Sequence, residues 1–213
     1  MPTENSYKIR TKTRELFLRV SQGHFATSHS HINYYIDVTT QKTRLSEARA
    51  VARELVSHYK ANTIVDTVLC LDGTEVIGTC LANELTKGDF VNMNAHQTIY
   101  VVTPEHTTGS QLIFRDNIIP MIAGKHVLVL AASVTTGYTA QAAVEAISYY
   151  GGHTAGIAAL FATTDTCAGH VVNAIFHTKD LRNYQTYPSH ECPMCKNGEK
   201  IEALVNSFGY SKL

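Results

Sequence analysis

Apolar and polar positions change their period several times along the chain, and each change marks an element. Residues 45–59 repeat apolar side chains at three- and four-residue spacing (Leu45, Ala48, Ala52, Leu55, Tyr59) with arginines and glutamates between them, which predicts an amphipathic helix. The run TIVDTVLCL at 63–71 predicts a strand, punctuated by Asp72-Gly73-Thr74, and 76–85 predicts a helix. Residues 97–102 predict another strand. At 126–132 the run HVLVLAA is almost continuously apolar, the mark of a strand covered on both faces. A helical pattern at 139–150 stops at Gly151-Gly152, and 154–161 reads as one more buried strand. Strand and helix alternating in this way predict an α/β fold with a central, mostly parallel sheet flanked by helices.

The two ends differ from this middle. Leu16, Phe17, Leu18 and Val20 predict a short amphipathic helix, followed by a polar stretch bearing His24, His29 and His31 and then a strand at 33–38. From residue 184 onward the chain carries Cys192-Pro193-Met194-Cys195 and an amphipathic end (Ile201, Leu204, Val205, Phe208). No repeat or linker interrupts the 213 residues. A single domain is expected, with 1–40 as an N-terminal hood segment and 184–213 as a C-terminal appendage.

Composition narrows function by exclusion. Eighteen Lys and Arg balance eighteen Asp and Glu. That balance removes the basic surplus needed for general nucleic-acid binding, and any strong attraction to an anionic membrane. No run approaches the ~18 apolar residues of a membrane span, and the mixed-charge start predicts no secretory signal. The five cysteines, at 70, 80, 167, 192 and 195, suit a reducing, cytoplasmic setting better than a disulfide scaffold.

Candidate chemistry concentrates where the apolar run at 126–132 meets the next helix. Ser133, Val134, Thr135, Thr136, Gly137, Tyr138 and Thr139 occupy that junction. Small hydroxyl residues and a glycine let the backbone wrap closely, so that consecutive N–H groups and a helix N-terminus face one phosphate. The same threonines could instead serve only to cap the helix.

This segment resembles the phosphoribosyl-pyrophosphate motif of type I phosphoribosyltransferases: four apolar residues, two acidic, two variable, then Thr-Thr/Ser-Gly-x-Thr/Ser. The resemblance extends over most of the chain and is strongest toward the orotate branch of that family. Ser30-His31-Ile32-Asn33-Tyr34-Tyr35-Ile36-Asp37 is similar to the N-terminal segment that sets paired aromatics over the pyrimidine. Glu191-Cys192-Pro193-Met194-Cys195-Lys196-Asn197-Gly198 is similar to the Cys-bearing ending of many bacterial members. The resemblance implies a Rossmann-like sheet with a small hood, a homodimer, and a nucleotide or sugar phosphate as ligand. Magnesium is implied only if the transfer reaction runs. A base pocket is implied at Tyr34 or Tyr35, of which only one can stack because neighbouring strand residues face opposite ways. Asp165 is implied at its edge, although its plainer role is to cap a helix opening near Cys167.

Three departures from the family pattern bear on activity. Ala131 and Ala132 stand where the family has two acidic residues that bind the ribose hydroxyls. Only His106 and Gly109 resemble the basic mobile loop that covers the pyrophosphate. Asp72, Gly73, Thr74 and Glu75 replace a Gly/Ala-rich turn, placing two acids where a polyanion should dock. The expectation is a non-catalytic, nucleotide- or phosphate-binding paralogue. One alternative is an active transferase for orotate or a purine base, with Asp72, Glu75 or Glu105 standing in for the missing acids. Another is a structural paralogue that only dimerises.

Two further clusters remain. Cys192-x-x-Cys195 has the spacing of half a zinc site, and Cys167-Ala-Gly-His170 offers a weaker second pair, so a four-ligand zinc site and a packed, metal-free tail are both open. His24, His29 and His31 are expected to be solvated loop residues, with a metal or phosphate role as the alternative.

Overall fold

The computed structural model describes residues 4–11, 16–28, 30–88, 91–95, 97–108 and 111–213. His29 and Gly109 lie outside these residues. In chain order the first elements are β1 (Ser6–Arg10), β2 (Phe17–Ala26), β3 (His31–Asp37), α1 (Thr39–Thr43), α2 (Leu45–Val56), β4 (Thr67–Cys70), α3 (Glu75–Leu85) and β5 (Tyr100–Val102). The short strands β6 (Glu105–His106) and β7 (Leu112–Ile113) follow, then β8 (His126–Val134), α4 (Tyr138–Tyr149) and β9 (His153–Ala162). The chain ends with β10 (Thr166–Cys167), β11 (His170–His177), β12 (Thr186–Tyr187), α5 (Pro193–Lys196), β13 (Ala203–Asn206) and β14 (Gly209–Lys212). These elements build two compact units, one of Gln41–His177 and one of Met1–Thr40 with Thr178–Leu213.

In the first of these, five parallel strands run in the order β5-β4-β8-β9-β11, with β10 antiparallel to β11 at the edge. Side chains alternate across this sheet. Leu69 and Leu71, Val127, Val129 and Ala131, and Ile157 and Ala159 form one apolar cluster with Ala140, Ala143, Ala146 and Ile147 of α4. The opposite face carries Val68 and Cys70, and α3 packs so closely there that a Cβ added at Gly78 would collide with Cys70 Sγ. Tyr59, fully buried after α2, donates its hydroxyl to the Ile157 carbonyl at 3.0 Å and accepts from Asn173 Nδ2 at 3.1 Å, tying α2 to β9 and β11. The sheet is therefore covered on both sides, which explains the unbroken apolar run of β8. Winding reverses between β4 and β8, and open α/β sheets bind ligands at the carboxyl ends of the strands beside such a reversal. The two segments singled out by sequence, 71–75 and 133–139, leave these two strands.

The helix expected near Cys167 is absent. Ala168 (φ 48) and Gly169 (φ 79) instead turn β10 back into β11 as a two-residue hairpin, whose paired positive φ angles match the twist of the strands.

In the other unit, the N-terminal and C-terminal segments share one sheet, β12-β3-β2-β13-β14, with β1 also on β2. The sequence predicts a helix over Leu16 to Val20, but Phe17 to Val20 open β2 and Leu16 directly precedes it. Leu16, Leu18 and Val20 are buried while Phe17 and Arg19 are half-buried, an alternation of period two rather than a helical stripe. Phe25, Tyr35, Ala203 and Val205 form the core of this sheet. Among the described residues no helix is long and apolar enough to cross a membrane.

Candidate functional site

β8 delivers the chain to Val134, and Gly137, at φ +81, turns it into α4. Glycine takes this left-handed conformation without the penalty a Cβ would bring. Thr163 fixes the approach, its N–H donating to the Val134 carbonyl at 3.0 Å and its hydroxyl to the Thr135 carbonyl at 2.7 Å. The Cys167 thiol donates to the Gly137 carbonyl at 3.5 Å. Gly137 itself is the N-cap of α4, and no side chain caps the helix there. Ser133, Thr136 and Thr139 are exposed and Thr135 is half-buried. The first-turn N–H groups of a helix lack intrahelical partners. Here they stand beside exposed hydroxyls, an arrangement suited to holding an anion.

The turn after β4 is built differently. Asp72 and Gly73, at φ 58 and 76, reverse the chain tightly into α3. The buried Thr74 hydroxyl donates to the Leu71 carbonyl at 2.8 Å and lies 3.1 Å from the Leu130 carbonyl, pinning the turn to β8. Lys42, itself buried, donates from Nζ to the Asp72 carbonyl at 2.7 Å. Burial pushes the Asp72 carboxyl up, and Lys42, the Ala132 N–H and His106 offset only part of that rise. The acids of this turn are thus accompanied by a cation from α1, thirty residues earlier. Nothing local in the sequence marks Lys42 for this place. Ala131 and Ala132 are 2% and 5% exposed, and Ala131 belongs to the apolar cluster under α4.

The other predicted residues fall as follows. Glu105 and His106 form the exposed strand β6, paired with β7. Arg115 grips the Glu105 carboxylate through Nε at 3.0 Å and Nη2 at 2.6 Å, which holds that carboxyl below its ordinary range. Tyr34 is buried, with its hydroxyl on the Arg182 carbonyl at 2.8 Å and its ring stacked on Tyr184. Tyr35 is buried edge-to-face against Tyr210. Asp165 is exposed, and its carbonyl accepts the Val172 N–H at 2.9 Å beside the hairpin rather than at a helix start.

Cys192 and Cys195 meet His24 and His31, the four ligand atoms lying within 4.8 Å of one another. Cys167 and His170 belong to the β10–β11 hairpin of the other unit and are not in this group. His24 and His31 were expected in a solvated loop. They instead sit in β2 and at the start of β3, 2% and 8% exposed. Burial, with His24 close by, lowers the His31 pKa.

The chain matches no protein-family model. It is 27% identical over 183 residues to the orotate phosphoribosyltransferase of Chlorobaculum parvum, a match covering 85% of this chain and 86% of that protein. Its structure is similar to that of Mycobacterium tuberculosis orotate phosphoribosyltransferase in complex with Fe(III) dicitrate, at TM-score 0.54 and 20% identity over 77% of this chain and 92% of that one. It is also similar to adenine phosphoribosyltransferase from Trypanosoma brucei in complex with AMP, pyrophosphate and ribose-5-phosphate. That match has TM-score 0.52 and 13% identity over 76% of this chain and 78% of the other.

Proposed function

From the type I phosphoribosyltransferase fold of this chain, and its sequence similarity to orotate phosphoribosyltransferase, we propose a nucleotide-binding role without phosphoribosyl transfer. The ligand class is a nucleoside monophosphate or a ribose phosphate, held by its phosphate at residues 133–139. One contrast carries this reading. The loop after β8 carries exposed hydroxyls and a helix start with glycine as its N-cap, whereas the end of β4 is filled by the Asp72 carboxyl and the buried Lys42, whose Nζ donates to the Asp72 carbonyl.

The chemistry follows from that contrast. Transfer develops positive charge on the ribose ring and negative charge on a departing diphosphate. Methyl groups at 131 and 132 neither accept ribose hydroxyls nor offset that positive charge. Each such electrostatic contact contributes ~3 kcal/mol in acyl-transfer sites, so losing several together lowers the rate by many orders of magnitude. Helix N–H groups and hydroxyls require no acidic pair to hold a dianionic phosphate. Lys42 is the observation favouring the opposite reading, an active transferase whose cation reaches the diphosphate from α1. Family resemblance further supports a homodimer and a cytoplasmic setting.

The deciding assay mixes the protein with phosphoribosyl pyrophosphate, magnesium and orotate, hypoxanthine or adenine, and follows pyrophosphate release. No release above background is expected. Turnover near ~1 per second or faster would establish the transferase instead.

A further inference from the structure

We propose that His24, His31, Cys192 and Cys195 form a closed, structural zinc site that staples the β2–β3 hairpin to α5. His24 Nε2 lies 3.1 Å from His31 Nδ1 and 3.6 Å from both Cys192 Sγ and Cys195 Sγ. Cys195 Sγ lies 3.3 Å from His31 Nδ1. Zinc–nitrogen bonds of about 2.0–2.1 Å and zinc–sulfur bonds of about 2.3 Å give tetrahedral edges of about 3.3 Å between nitrogens and about 3.6 Å from nitrogen to sulfur. These four separations have this size, and all the ligand atoms lie within 4.8 Å of one another. Hydrogen bonding alone accounts for them poorly. His24 Nδ1 lies 3.0 Å from the Glu199 carbonyl, which can only accept, so the ring proton sits there and Nε2 offers one lone pair. Both thiols and His31 Nδ1 crowd that single lone pair, whichever tautomer His31 takes. One cation at their centre satisfies all four atoms at once, and a carbonyl orienting the outer ring nitrogen is the usual second support of a metal-bound histidine.

The backbone prepares the geometry from both sides. Pairing of β2 with β3 shifts register between Gln22 and Phe25, a bulge that re-aims His24. Glu202 holds the bulge, accepting the His24 N–H through Oε1 at 3.2 Å. On the other side, α5 begins just after Cys192, with Lys196 N–H on the Cys192 carbonyl at 3.2 Å and Gly198 N–H on the Cys195 carbonyl at 3.0 Å. That single turn stacks Cys195 back beside Cys192. Two thiolates and two imidazoles in a four-coordinate set favour zinc and leave no open position for catalysis. The donors join segments 161 residues or more apart (Cys192 to His31), where a cross-link removes much chain freedom from a small unit.

The full-length chain, purified with its thiols reduced, is expected to carry about one zinc per chain by elemental analysis. X-ray absorption should show two sulfur and two nitrogen neighbours. After chelation, added Co²⁺ should give the visible bands of a tetrahedral site together with a thiolate charge-transfer band. The variant Cys195→Ser should lose zinc, while Cys167→Ser with His170→Ala should retain it. If Cys195→Ser does not fold, the wild-type sulfur count still decides. Three sulfur neighbours, or metal lost from the Cys167/His170 variant, overturns this ligand set. A reduced, folded chain holding neither zinc nor tetrahedral cobalt overturns the site altogether.

Discussion

Replacing Gly137 with valine should weaken binding of a nucleoside monophosphate by at least about tenfold while leaving the protein folded. Gly137 holds φ +81 at the start of α4, and a β-branched residue is least tolerant of that region. Forcing it there costs on the order of 1–3 kcal/mol, and the chain relieves the strain by moving the first turn of the helix. That turn presents the N–H groups assigned to the phosphate, so a displacement is read as lost affinity, about 1.4 kcal/mol per tenfold. A Cβ at this position would also sit 3.2 Å from Cys167 Sγ. Adding Cys167→Ala removes that contact but not the backbone strain, so it should restore little. Calorimetric titration with AMP and UMP, alongside the thermal midpoint of each variant, separates a binding loss from a folding loss. Wild-type affinity in Gly137→Val would show that the phosphate is held elsewhere.

Reinstating a carboxylate at residue 131 should cost about 3 kcal/mol or more of stability and bring no transferase activity. Ala131 is 2% exposed and packed with Val129, Ala159 and Ala143 under α4, in a cluster of apolar side chains. An aspartate there enters that cluster without a charged partner. Burial raises its pKa above the unfolded value, so the penalty applies in full above the raised pKa and shrinks as pH falls through it. With a urea slope of about 2 kcal/mol per molar, the midpoint at pH 7 should drop by about 1.5 M and recover partly at pH 5. The adjacent Ala132→Asp should fail differently, since residue 132 lies beside the Asp72 carboxyl and a second carboxylate there meets like charge. Unchanged stability in Ala131→Asp would mean that this core accommodates a carboxylate at residue 131.

How far the sequence reveals these features depends on how local each signal is. β8, α4 and β9 are legible because a strand buried on both faces has to be apolar throughout, and because Gly137 and Gly151 sit at turns with positive φ. The alanines at 131 and 132 are visible for the same reason. β2 was harder. Leu16, Phe17, Leu18 and Val20 fit a helical stripe and an alternating strand alike, and pairing with β1, β3 and β13 decides between them. The β10–β11 hairpin turns on Ala168, a residue that rarely signals a left-handed bend. Lys42 and Asp72 are thirty residues apart, and only the fold brings them together. The Cys192–Cys195 pair announces itself by spacing, but its histidines come from the opposite end of the chain, and the bulge that aims His24 leaves no local mark.

On the function proposed above, the loop after β8 holds a single phosphate and the turn after β4 holds no diphosphate. Calorimetric titration of the protein with ribose 5-phosphate and, separately, with magnesium pyrophosphate tests this directly. Saturable binding of the sugar phosphate with no heat from pyrophosphate is the predicted result. Tight pyrophosphate binding, or indifference to ribose 5-phosphate, would contradict it.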